Sequence, residues 1–154
     1  MSRRSAGFSL IELMIVLVVI AILAAIAYPS YLKSTRKSNR TDATTLMMSE
    51  AQMLERCYSQ YFAYSVGGAA ATCTTSPVAS TTSNNGYYTV TVELNKQDPV
   101  NTTQTDAYLI KAVPVAGLTQ ANDKSCATFY LTNNGTQYAM DSGGTLNTQT
   151  CWGS

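Results

Sequence analysis

The sequence predicts an α+β protein: one long N-terminal helix followed by an antiparallel sheet that the helix covers. Three observations carry this. An apolar run extends unbroken from Leu13 to Ala27. Past Thr41 the apolar residues become one-sided at helical spacing, and in the last half of the chain they alternate at strand spacing. At 154 residues the chain has room for one folded domain.

The first element is a helix expected from Phe8 to about Tyr61. At 1.5 Å per residue it would reach about 80 Å. Its N-terminal half is apolar all round, as a membrane or filament-core segment must be. Pro29 falls inside it, removes one ladder hydrogen bond and crowds the preceding turn, so a kink or local unwinding is expected near Ala25–Pro29. From Ala43 the stripe Ala43, Met47, Ala51, Leu54, Tyr58, Tyr61 steps by three or four and should lie on a sheet. Glu50 and Glu55 are expected to be solvated or paired with Arg56. Residues 63–85, rich in Ala, Ser, Thr and Gly, read as a loop. Tyr88, Val90, Val92 and Leu94 then alternate with polar neighbours as a half-buried strand, and Tyr108–Val113 forms a second. Cys126–Thr132 and Thr136–Met140, joined through Asn133-Asn134-Gly135, make a hairpin.

One residue is out of place. Glu12 stands at the head of the apolar run, where a carboxylate in hydrocarbon costs about 2.5 kcal/mol or more at a helix centre. A mere membrane anchor would omit it. No basic residue lies between Arg4 and Lys33. A cut between Gly7 and Phe8 would create an α-amino group, poorly placed for its own Glu12 but within reach of Glu12 on a copy shifted by about one helical turn. The segment therefore reads as a subunit contact held in lipid before use. Arg3-Arg4 with an apolar core and Ala25-Ile26-Ala27 also fits an ordinary secretory signal, which would start the mature chain at Tyr28. That reading leaves Glu12 and the Gly-Phe junction unexplained.

These residues carry a family resemblance. Arg3-Arg4, Gly7-Phe8-Ser9-Leu10-Ile11-Glu12-Leu13 and the Ala-rich apolar tail resemble a type IV prepilin. Tyr28-Pro29-Ser30-Tyr31, Arg40-Thr41-Asp42-Ala43, Leu54-Glu55-Arg56-Cys57-Tyr58-Ser59 and the closing Cys151-Trp152 are similar to minor pilins of the PilE kind. The resemblance implies the type IV pilin fold, cleavage after Gly7 by prepilin peptidase, N-methylation of Phe8, filament-core packing of residues 8–60 and Glu12 as the assembly and processing contact. It implies other pilin subunits, the inner-membrane assembly machinery and membrane lipid as partners. The expected organisation is a leader over 1–7, a stem with its basic belt over 8–40 and a head over 41–154. The head would be periplasmic before assembly and displayed on the pilus afterwards.

Charge and cysteine content fit an exported, anchored head. Lys33, Arg36, Lys37 and Arg40 form a basic belt at the end of the apolar run, first read as a contact with the membrane surface. Past Thr41, four basic residues face eight acidic ones, so bulk charge opposes nucleic-acid binding unless Lys96, Lys111 and Lys124 cluster. The four cysteines favour two disulfides among three possible connectivities. Neighbour pairing, Cys57–Cys73 and Cys126–Cys151, is the expectation carried forward, each closure contributing about 3 kcal/mol in the chain-entropy view. The second loop, with Asp141-Ser142-Gly143-Gly144-Thr145, would be floppy without its staple. With no histidine and no Cys-x-x-Cys pair, a metal centre is poorly supported.

Catalytic machinery is not apparent. The commonest general base is missing, and no phosphate loop or nucleophile elbow is present. No cofactor is expected. The ten tyrosines read as core and rim aromatics before they read as a platform for single-stranded nucleic acid. Three readings follow: a pilus subunit acting in assembly, motility or adhesion; a DNA-binding competence pilin; and a secretion pseudopilin, which shares the N-terminus. Major pseudopilins often carry calcium in place of a C-terminal disulfide, so Cys126 and Cys151-Trp152 favour the pilus side.

Overall fold

A computed structural model describes residues 9–67 and 77–153. The leader, Phe8 and Cys73 lie outside the described residues. The elements are α1 (Leu10–Tyr61), β1 (Ser80–Thr82), β2 (Tyr88–Gln97), β3 (Thr105–Pro114), a single 3-10 turn (Thr119–Asn122), β4 (Thr128–Thr132), β5 (Gln137–Met140) and α2 (Thr148–Trp152). The chain divides between Thr35 and Arg36 into two compact units.

The first unit contains the apolar start of α1. Leu13 N–H donates to the Ser9 carbonyl and opens the helical ladder. The large apolar side chains of residues 10–26 are all exposed, and the mean hydropathy of an 18-residue window reaches 3.1, enough by length and composition to cross a membrane. Helical backbone continues without a break through Ala25–Pro29. Local unwinding therefore does not occur at the proline.

In the second unit, α1 lays one stripe on a meander of strict order β1-β2-β3-β4-β5, every neighbour antiparallel. The register places Val90, Ala112, Phe129 and Ala139 in one inward row, with Val92, Ile110 and Leu131 in the next. Against them sit Ala43, Met47 and Leu54, all fully buried. The stripe steps by three and four through Ala43, Met47, Glu50, Leu54 and Cys57. It stops there. Tyr58 and Tyr61 are 42% and 46% exposed, because Tyr64 instead reaches the inward ring Tyr108, edge-on at 5.0 Å. Tyr58 stacks on the outer side of Tyr64 at 4.7 Å. The helix ends as Phe62 enters the left-handed region at φ 54°, a conformation more often given to glycine.

The stretch expected to be all loop contains a short strand. Ser80–Thr82 pairs with Thr89–Thr91 of β2 through its backbone. Three polar residues on a sheet edge carry no alternation, so periodicity could not have found it. The β4–β5 hairpin turns on Gly135, at φ +80°, with Gly135 N–H donating to the Thr132 carbonyl at 3.0 Å. The Cys126–Cys151 disulfide is present, with Cα atoms 5.7 Å apart. Cys57 is buried and not free; its expected partner Cys73 is outside the described residues.

The loop after β5 is more ordered than its composition suggests. Asp141 Oδ1 accepts from the N–H groups of Gly143 at 2.8 Å and Thr145 at 2.9 Å. Ser142 N–H donates to the Lys124 carbonyl. The returning chain covers the outer edge of β5: Asn147 N–H donates to the Ala139 carbonyl, and Ala139 N–H donates to Thr148 Oγ1. An otherwise open edge is thereby capped.

Leu54→Ala should lower unfolding stability by about 2–5 kcal/mol in urea titrations. Tyr61→Ala, at the same helical spacing but outside the buried stripe, should change it by no more than about 0.5 kcal/mol.

Candidate functional site

Glu12 lies in the first turn of α1, exposed, with no hydrogen bond or ion pair among the described residues. A carboxylate there is favoured by the helix dipole by about 0.3–1 kcal/mol. Gly7 and Phe8, expected to form the cleavage junction, lie outside the described residues.

The basic belt is not a uniform solvated surface. Lys33 and Lys37 are exposed, but Arg40 is built into the head. Its Nε and Nη2 donate to the two carboxylate oxygens of Asp123 at 2.8 and 3.0 Å, and its Nη1 donates to the Thr150 carbonyl at 3.2 Å. The side chains are only 11% and 5% exposed. One guanidinium thus joins α1, the segment after the 3-10 turn and α2. This corrects the reading of Arg40 as a lipid contact: a buried carboxylate has claimed it.

Beside this pair lies Gln120, fully buried. Its Nε2 donates to Tyr88 Oη at 2.7 Å and, at 3.3 Å, to the Arg36 carbonyl and Asp123 Oδ2. Its Oε1 accepts from Asn39 Nδ2 at 3.3 Å. Burial is the main cause of the Tyr88 phenol's rise to about 12, partly offset by the Gln120 contact. Sequence reading missed this hub. Gln120 sits in a single 3-10 turn, where no periodicity marks a residue as internal.

Of the two helix carboxylates, one departs from expectation. Glu50 is buried at 4% exposure, and its Oε2 has no partner. Glu55 stays exposed, as expected, and accepts from the phenols of Tyr108 at 3.0 Å and Tyr64 at 3.2 Å. A stripe position filled by a glutamate looks solvated in sequence and becomes internal only when the sheet arrives. At the far end of the sheet, Asp98 Oδ1 accepts from the N–H groups of Val100 and Asn101, both at 2.7 Å. Asp98 Oδ2 accepts from Tyr138 Oη at 3.2 Å. Asp106 accepts from Gln104 through Oδ1, while its Oδ2 is buried without a partner. Burial pushes the Glu50 and Asp106 carboxyls up, and neighbouring Asp98 adds to the rise at Asp106.

This burial changes the charge balance of the head. Of its eight acidic residues, Glu50, Asp98, Asp106 and Asp123 are buried. Asp42, Glu55, Glu93 and Asp141 remain at the surface, against Arg56, Lys96, Lys111 and Lys124. The excess of acid counted along the chain is therefore largely internal. The lysines do not all gather. Lys96 is paired with Glu93 at 3.2 Å and sits opposite Asp106, whereas Lys111 is five residues further along β3, about 17 Å at strand rise. Lys111 lies over the Tyr130 ring at 6.0 Å on the outer sheet face. Among the described residues no group of three or more His, Cys, Asp or Glu side chains is placed to hold a metal ion.

A long apolar stem that continues into a helix covering an antiparallel meander, closed by a C-terminal disulfide, defines a type IV pilin. Two family models agree with that class. The prokaryotic N-terminal methylation motif matches residues 2–28, consistent with membrane anchoring and pilus assembly. The model described as "Type IV minor pilin ComP, DNA uptake sequence receptor" matches residues 29–130, more than half of the chain, and the protein belongs to that family. Pilin families are structural. Comparison with curated proteins finds no match.

Two outcomes test the buried charges. Arg40→Met should cost about 3–5 kcal/mol by stranding Asp123, and Arg40→Met with Asp123→Leu should recover most of it in a double-mutant cycle read by urea unfolding. Glu50 and Asp106 have folded pKa values above their ordinary 4.5 and 3.8. Their contribution is therefore fully present below those values and is lost as pH rises through the folded pKa values. Glu50→Gln with Asp106→Asn should flatten stability against pH above about 4 and raise it at neutral pH, in thermal melts across pH.

Proposed function

We propose that this protein is a minor pilin that serves DNA uptake as a non-catalytic subunit of a type IV pilus. Prepilin peptidase cuts after Gly7 and Phe8 is N-methylated. The subunit waits in the bacterial inner membrane with its head in the periplasm. The assembly machinery then withdraws it into a fibre at the cell surface. The observation that carries this reading is the family match over residues 29–130, adjoining the methylation motif over residues 2–28.

The physics of the stem supports assembly. Apolar helices exchange lipid for one another at little hydrophobic cost. Register then comes from Glu12, which meets the Phe8 amine of an adjacent subunit; an unpaired charge in a packed bundle is strongly penalised. Cys57–Cys73 closes the segment between α1 and β1.

DNA contact is supported by the charge balance of the head. With half its acids internal, the surface no longer repels phosphate as the linear count suggests, and among the described residues Lys111 and Lys124 have no carboxylate partner. They are the cations proposed to meet the backbone. A motility or adhesion pilin without DNA contact is the second reading, favoured by the modest number of free cations.

Glu12→Ala and Glu12→Leu should insert in membrane normally but enter pili about tenfold less, by immunoblot of sheared fibres against membranes. Equal incorporation would remove the Glu12 pairing. The full-length mature protein should bind duplex DNA with affinity that falls as salt rises, and Lys111→Ala and Lys124→Ala should each reduce the log–log salt slope by about 1. Absence of binding at low salt would leave the assembly role standing alone.

A further inference from the structure

We infer that the head carries a binding groove for neutral carbohydrate, separate from the cations assigned to DNA. The groove lies within the Arg36–Ser154 unit, between α1, β5 and α2, and is an open surface depression of about 530 Å³. That volume suits a small ligand. On α1 it is lined by Thr45, Met48, Ser49 and Gln52, which share a helix face beside the buried stripe; Gln137 and Trp152 close the other side.

Three features select the ligand chemistry. No charged side chain lines the groove. Phosphate would need cations there, and a cationic ligand would need carboxylates. Next, the side chains of Thr45, Ser49, Gln52 and Gln137 have no hydrogen-bond partner among the described residues. Thr44, at the rim, differs: its hydroxyl is turned back onto the Thr41 carbonyl at 3.2 Å. Two amides and two hydroxyls thus line the groove with donors and acceptors given only to solvent. A purely apolar ligand would strip their water and return nothing. Finally, the indole of Trp152 is held in place before any ligand arrives. Its Nε1 donates to the Tyr138 carbonyl at 2.8 Å, and the ring packs edge-on against Phe129 at 5.9 Å. A fixed aromatic surface beside paired amide and hydroxyl groups matches a pyranose, which offers a C–H face for packing and a rim of hydroxyls that both give and accept hydrogen bonds.

Trp152 is the only tryptophan in the chain, so its emission reports the groove directly. The full-length mature protein, held in a zwitterionic detergent free of sugar headgroups, is titrated with galactose, N-acetylglucosamine and lactose up to tens of millimolar. Sorbitol controls for bulk solvent effects. A saturable emission change is expected with at least one of the three saccharides, accompanied by saturation transfer from protein to sugar in NMR. Gln52→Ala and Gln137→Ala should each weaken the response about tenfold, and Gln149→Ala, outside the groove, should match the wild type. The inference is overturned if no saccharide gives a saturable change in protein whose near-UV circular dichroism is native. It is equally overturned if Gln52→Ala and Gln137→Ala respond like the wild type. It also falls if emission moves only on addition of duplex DNA, or only on assembly into pili, which would assign the groove to nucleic acid or to a neighbouring subunit.

Discussion

The head depends on one apolar seam, the stripe of α1 against the inward face of the sheet. A meander of five strands has one face to bury, and Ala43, Met47 and Leu54 are what covers the rows of Val90, Ile110, Ala112 and Phe129. Burying Met47, Leu54, Val90, Ile110 or Phe129 contributes about 1.5–3 kcal/mol each, so the seam outweighs any single polar contact in the unit. The same helix is apolar all round over its first half and one-sided where it meets the sheet. That change of pattern falls within one continuous element.

Polar contacts specify how the seam is seated. Arg40 makes a two-pronged contact with Asp123 and reaches the Thr150 carbonyl, while Gln120 adds Tyr88 and the helix backbone. The Cys126–Cys151 bridge holds the segments bearing Asp123 and Thr150 near each other, so that one arginine can meet both. Buried ion pairs often add little net stability, because desolvation offsets attraction. Their geometric demand is strict, and here it links the helix to the C-terminal part of the head. The Asp141 turn and the strap over β5 complete this end of the fold with backbone hydrogen bonds.

Burial also reshapes the electrostatics that bear on function. Counted along the chain, the head is acidic. Four of those carboxyls are internal, one bound to Arg40 and two pushed toward their neutral forms. What a polyanion would meet is the exposed set, in which both signs are equally represented. Charge counting alone misjudged this surface because a count has no inside or outside.

The stem was legible because its signals are local. An acidic residue in an apolar run, a Gly-Phe junction and an unbroken hydropathic segment need no tertiary contact to be recognised. The stripe and the main strands were legible for the same reason: period and alternation reflect the faces of single elements. Strand β1 was not, since three polar edge residues take their conformation from β2. Glu50 inside, Tyr58 and Tyr61 outside, and the Arg40–Asp123–Gln120 hub were invisible too. Each joins or separates residues far apart in the chain, and which side chains meet is settled by where the sheet ends over the helix. The sequence alone determined the class of protein, its long apolar helix and its antiparallel head. Tertiary structure decided which charges remain at the surface and which groups converge, because burial and hydrogen bonding are properties of neighbours in space rather than in the chain.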